Sequence, residues 1–121
     1  MQPNKTVSTE TKHRKVTVTT LVLAAIACGK VFNPTCKIYL RKGVCCVRDG
    51  ARHQDDMEYW KPHLDDGDSR RLQVALKISL NWNTHALQWC AYDVKAQIVR
   101  YDHDPKRAVL FVAAVIGEKM K

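Results

Sequence analysis

Residues 1–15 are polar and carry no apolar period, which predicts a solvated, disordered arm. Beyond it, Leu21, Ala24, Ala25 and Cys28 fall three and four apart, the repeat of a helix with one buried face. Thr19 or Thr20 is the predicted N-cap, because a threonine oxygen accepts an orphan backbone N–H. Gly29 supplies the left-handed position that ends the helix, with Lys30 beside its negative end. After the breaker Asn33-Pro34, Ile38 and Leu40 alternate with Lys37, Tyr39 and Arg41. This shorter period predicts a hairpin of 36–41 and 44–48 around a Lys42-Gly43 turn. Residues 51–59 are mostly polar and acidic and predict a loop.

Further on, Asp65 or Asp66 can cap a helix whose first turn is acidic, matching the positive end of its dipole. Leu72, Ala75 and Leu76 form its buried face. It should end near Lys77, since Ile78, Leu80 and Trp82 switch to a period of two. Leu87, Trp89 and Ala91 alternate with polar neighbours, as do Val94, Ala96 and Ile98, which predicts a strand pair with a turn near Tyr92-Asp93. Asp104-Pro105 is a cap followed by proline at the first helical position. From there Ala108, Val109, Val112, Val115, Ile116 and Met120 line one wide stripe. The expected order is α-β-β-α-β-β-α: an α+β fold, sandwich-like, with short helices on an antiparallel sheet of about four strands. Residues 16–121 form one domain in this reading, preceded by the arm.

At 121 residues and 45% hydrophobic composition, such a domain needs no disulfide or metal to hold it. The net charge of +8 invites a nucleic-acid partner, since basic surfaces gain free energy by releasing phosphate counterions. Its placement tells against one. Residues 1–53 carry about +8, 54–68 about −5 and 69–121 about +5, so no single element gathers the positive charge. If nucleic acid is bound, Lys37, Arg41, Lys42 and Arg48 on the first hairpin are the expected phosphate contacts. Five cysteines without a CxxC spacing read as buried thiols of a reducing cytoplasm, with no metal bound. The alternative is an exported lipoprotein. Lys12, Arg14 and Lys15 precede the apolar run 16–27, which would place the lipid on Cys28.

The segment Trp60-x-Pro62-x-x-Asp65-Asp66-Gly67-Asp68-x-x-x-Leu72 resembles a signature of small phage and prophage proteins of the phage ABA-sandwich, NinX-like group. Leu23-Ala24-Ala25-x-Ala27-x-Gly29 is similar to the opening helix of that group, and Ala113-Ala114-x-Ile116-Gly117 to its ending. The basic arm and the cysteine content depart from the pattern. The resemblance implies an α/β sandwich of phage origin and carries over no reaction. If it holds, 21–28 is the first helix of the domain and cleaving it would remove part of the core.

Asp65, Asp66 and Asp68 lack the alternation and distal glutamate of a calcium loop, and helix capping accounts for them. Trp60 and Pro62 complete this structural signature. His103 lies between two aspartates, and Cys90 could meet His85 or His103, yet neither pattern supplies the positioned partner that catalysis requires. Trp60, Trp82, Trp89, Tyr39, Tyr92 and Tyr101 interleave with basic residues, as on a base-stacking sheet, but without the glycine and aromatic motif of such sheets. Core packing is the reading adopted for them. The expectation is a non-enzymatic phage accessory protein without cofactor. It would bind a host or phage protein, with the blocking of a defence or gene-expression complex as the expected form. A nucleic-acid module using the arm and first hairpin is the alternative.

Overall fold

The computed structural model describes residues 15–32, 40–47 and 57–121. Helix α1 spans Val18–Ala27, followed by strands β1 (Val44–Val47) and β2 (Met57–Trp60). Helix α2 (Asp66–Leu76) leads into three strands: β3 (Ser79–Asn83), β4 (Gln88–Asp93) and β5 (Ile98–Asp102). Helix α3 (Pro105–Lys119) closes the chain. The fold is α+β. Its strands form two antiparallel sheets, β1-β2 and β3-β4-β5, in place of one sheet of about four strands. None of the described helices is long and apolar enough to cross a membrane.

The centre of the molecule is α3. Every residue from 108 to 114 is buried, as in a helix covered on all sides. Helices α1 and α2 and strands β4 and β5 supply that cover. The expected stripe is thus broader in the middle, and its last member, Met120, is exposed. Gly117 sets the spacing to α1. A Cβ there would lie 1.8 Å from the carbonyl oxygen of Leu23, so the two backbones meet where only glycine fits. Ala24, Ala25 and Ala113, all fully buried, give the same pair small side chains.

Local chemistry accounts for the helix ends. Thr17, not Thr19 or Thr20, caps α1. Its hydroxyl accepts from Thr20 N–H while the Thr20 hydroxyl accepts from Thr17 N–H, a reciprocal capping box. Asp65 Oδ2 accepts from Asp68 N–H at 2.8 Å and Asp104 Oδ1 from Lys106 N–H at 2.9 Å, capping α2 and α3. Lys77, at φ 56°, ends α2 in the left-handed region.

The first sheet differs from the expected hairpin. Strand β1 pairs with β2 in the register Val44↔Trp60 to Val47↔Met57, so part of the acidic stretch read as loop is a strand. Of the expected first strand, residues 36–39 lie outside the described residues, and Leu40, Arg41 and Lys42 form a turn. The glycine of Lys42-Gly43 has another task. At φ 92°, its missing Cβ would sit 2.0 Å from the Trp60 carbonyl oxygen, so Gly43 lets the chain pass against Trp60. In the second sheet, Ile78 leads into a further strand, β3, which holds Leu80 and Trp82. The last turn runs over 94–97 rather than at Tyr92-Asp93. Asp93 Oδ1 accepts from Lys95 N–H, and Gln97 turns the corner at φ 58°.

Candidate functional site

Lys37 and Arg48, two of the four candidate phosphate contacts, lie outside the described residues. Arg41 and Lys42 are exposed on the turn before β1, and Lys42 Nζ lies 5.9 Å from the centroid of the Tyr59 ring. The close passage of Gly43 brings this turn beside Lys61. A buried histidine fastens it there. A ring nitrogen of His63, Nε2, hydrogen-bonds the Leu40 carbonyl. A carbonyl can only accept, so Nε2 bears the proton. The other nitrogen, Nδ1, is buried with no hydrogen-bond partner. No spacing in the sequence foretells this clasp, because its halves are 23 residues apart.

Residues of the Trp60–Asp68 signature serve different ends. Trp60 is 2% exposed and Pro62 is fully buried. Asp68 holds the turn closed: Oδ2 accepts from Lys61 N–H at 3.0 Å, and Oδ1 from Arg71 at 2.7 Å. Asp66, with a side chain 93% exposed, makes an ion pair of 3.3 Å with Lys106. The N-termini of α2 and α3 therefore stand side by side, with Lys106 also 3.5 Å from Asp104. Asp102, buried on β5, faces Arg107 at 3.4 Å. Each of these carboxylates has a cationic or backbone N–H neighbour.

Among the clefts of the molecule, two are lined by described residues. One, of about 100 Å³, lies between the end of α1 (Cys28, Gly29, Lys30), Trp60 and α2 (Arg71, Leu72, Ala75). Lys30 Nζ stands 5.8 Å from the Trp60 ring centroid, a cation over a π-face. The other, of about 200 Å³, runs between α1 and α3 beside Lys15, Leu23, Phe111 and Glu118. Both fall below the roughly 300–1,000 Å³ of ordinary small-molecule pockets. Among the described residues, no three His, Cys, Asp or Glu side chains gather to hold a metal.

The second sheet offers more surface. Paired residues share a face, so the register separates Leu80, Ala91, Arg100, Trp89 and Asp102 from Ser79, Tyr92, Val99, Asn81, Cys90 and Tyr101. The first set includes core residues and faces α3. The second forms the outer face. There Tyr101 hydrogen-bonds Cys90 and Asn83, and Asn81 Nδ2 donates to Tyr92 Oη at 3.4 Å. Cys90 thus meets a tyrosine rather than His85 or His103, both of which are exposed. Burial, aided by Cys90, raises the Tyr101 phenol above its usual range.

At the β3–β4 end, Trp82 is 47% exposed and stands edge-on to Trp89, with ring centroids 5.5 Å apart. Beside it Leu87 is 63% exposed and holds φ 55°, a left-handed conformation that large side chains rarely take. Asn83 builds this tip. Its side-chain oxygen accepts from His85 and Ala86 N–H at 2.9 Å each, and its carbonyl from Leu87 N–H at 2.8 Å. The alternation placed Trp82 and Leu87 on strands; the structure keeps Trp82 on β3, puts Leu87 in the turn and leaves both exposed. In comparisons with known proteins, no family model, curated protein or solved structure matches the chain.

Proposed function

We propose that the protein is a non-enzymatic binding module that covers a surface of another protein through the Trp82–Leu87 end of its larger sheet. One observation carries the reading: a braced hairpin tip presents an exposed tryptophan and an exposed leucine. Burying an apolar side chain would lower the free energy, and a left-handed leucine costs about 1–2 kcal/mol, so folding alone does not favour this arrangement. Tryptophan is among the residues that dominate protein interfaces. The three hydrogen bonds to Asn83 hold the tip in shape before contact, which lowers the entropy lost on binding.

The Trp60–Asp68 signature adds a phage or prophage origin to the proposal. The partner would then be a host or phage protein met in the host cytoplasm, such as part of a defence or gene-expression complex that this small protein obstructs. No catalytic step or cofactor is invoked. The test is affinity capture from host extract, with and without nuclease, using wild-type protein and Trp82→Ala. We expect a specific protein that survives nuclease and is lost with Trp82→Ala. Equal recovery by the variant would remove the hairpin from the interface, and loss on nuclease treatment would remove the protein partner.

A further inference from the structure

The outer face of the β3-β4-β5 sheet has a chemistry of its own. Tyr92 and Tyr101 lie on neighbouring strands, with Tyr101 opposite Cys90, two residues from Tyr92. They are therefore diagonal neighbours, at about 7–8 Å spacing. Around them are Ser79, Asn81, Asn83, buried Gln88 and exposed Val99. Helix α3, which packs on β4 and β5, lies on the other side, where Ala91 and Ile98 join its core residues. The charge is divided in the same way. Asp93, opposite buried Ile98, and Asp102, opposite Trp89, both belong to the core-facing set. Asp65, Asp66, Asp68 and Asp104 are tied to the starts of α2 and α3. Among the described residues of the three strands, none on the outer face is acidic.

Cations stand at one end of the sheet. Lys77 precedes β3 and Lys95 lies in the β4–β5 turn, both exposed, at the end where Ser79, Tyr92 and Val99 align. Asp65, Asp66 and Asp68, the described aspartates of the acidic stretch that interrupts the basic charge along the sequence, thus gather at helix starts and not on this face. We propose that the outer face is a platform for single-stranded nucleic acid. Tyr92 and Tyr101 stack two bases, Asn81 bonds a base edge, and Lys77 and Lys95 take the phosphates. Stacking suits a surface with aromatic rings and no carboxylate, because every base has a π-face and every phosphate is an anion. A duplex hides its bases and would gain only the two lysines. This site is separate from the Trp82–Leu87 tip.

Fluorescence anisotropy of the full chain with labelled oligo(rU), oligo(dT) and a matched duplex tests the proposal. Either single strand should bind more tightly than the duplex. Tyr92→Ala and Tyr101→Ala should each weaken binding about tenfold, and phenylalanine at either position should restore most of it. Replacing Lys77 and Lys95 by alanine should flatten the salt dependence by about 0.7 log–log units per lysine. Trp82→Ala should leave oligonucleotide binding intact, so this reading and the protein-partner reading fail independently. A wild-type measurement covers the case of misfolded variants: bound oligonucleotide should slow alkylation of Cys90, which lies between the tyrosines. Equal binding of duplex, unprotected Cys90 in the complex, or no single-strand binding near physiological salt would overturn the proposal. So would a protein partner that protects Cys90 where oligonucleotides do not.

Discussion

Cys45 and Cys46 are adjacent on β1, so their side chains leave opposite faces of the strand, and both are buried. Burial pushes the Cys46 thiol up to about 12, with Lys30 pulling in the other direction. Only the thiolate attacks alkylating agents. At neutral pH, iodoacetamide should modify half-buried Cys90 in the native protein and reach Cys46 only after unfolding, which peptide mass spectrometry would show. The same shift has a consequence for stability. An unfolded thiol ionises near 9 and the folded one near 12, so the unfolded state gives up its proton first. Stability should fall as pH rises from about 9 toward 12. Urea titrations across that window should show a shallower loss for Cys46→Ala; an unchanged slope would mean that other groups govern alkaline unfolding. That these cysteines are small buried residues could be read from their spacing, but the cation beside Cys46 could not, since Lys30 lies on a different segment.

Elements that begin with a local signal were the ones legible in the sequence. Asp104-Pro105 marks α3, and the acidic run marks α2, because a cap and its acceptors lie within a few residues. Asp65→Ala should cost about 1 kcal/mol, the usual value of an N-cap. Asp68→Ala should cost more, about 1–3 kcal/mol, because it strands the part-buried Lys61 N–H as well as releasing Arg71. Thermal or urea unfolding of the two variants gives the order, and a larger loss at Asp65 would reverse their roles. Pairing of β1 with β2 was not legible. Its determinants are Gly43 and Trp60, far apart in sequence, and the polar residues before Met57 mask the strand. Contact between α1 and α3 was hidden for the same reason. On an isolated helix, Gly117→Ala would gain about 1 kcal/mol. Here the added methyl meets the Leu23 backbone at 1.8 Å, and overpacking costs typically 1–3 kcal/mol. A net loss of stability is expected, and a rise in melting temperature would show that the two helices separate easily.

At the scale of the whole molecule, the tryptophans divide fold from surface. Trp60 is 2% exposed, joins Leu21, Val44 and Leu72 in the core cluster and approaches the Gly43 backbone. Trp82 sits at the far end of the other sheet and is 47% exposed. The sequence put Trp60 in the signature segment and Trp82 at a strand period and assigned both to core packing, since burial depends on what the rest of the chain lays over each ring. Removing the Trp60 indole should cost about 3–5 kcal/mol, the range for large-to-small changes in a packed core. Trp82→Ala loses its contact with Trp89 and part of its burial, so about 1 kcal/mol is expected. The informative experiment measures both properties in both variants. Trp60→Ala should lower the melting temperature strongly, while partner capture should fall only as far as the unfolded fraction rises. Trp82→Ala should melt close to wild type and lose the partner outright. If Trp60→Ala instead kept its stability and lost binding, the signature segment would be an interface. The cleft of Lys30, Trp60 and Arg71 would then replace the hairpin tip as the binding surface.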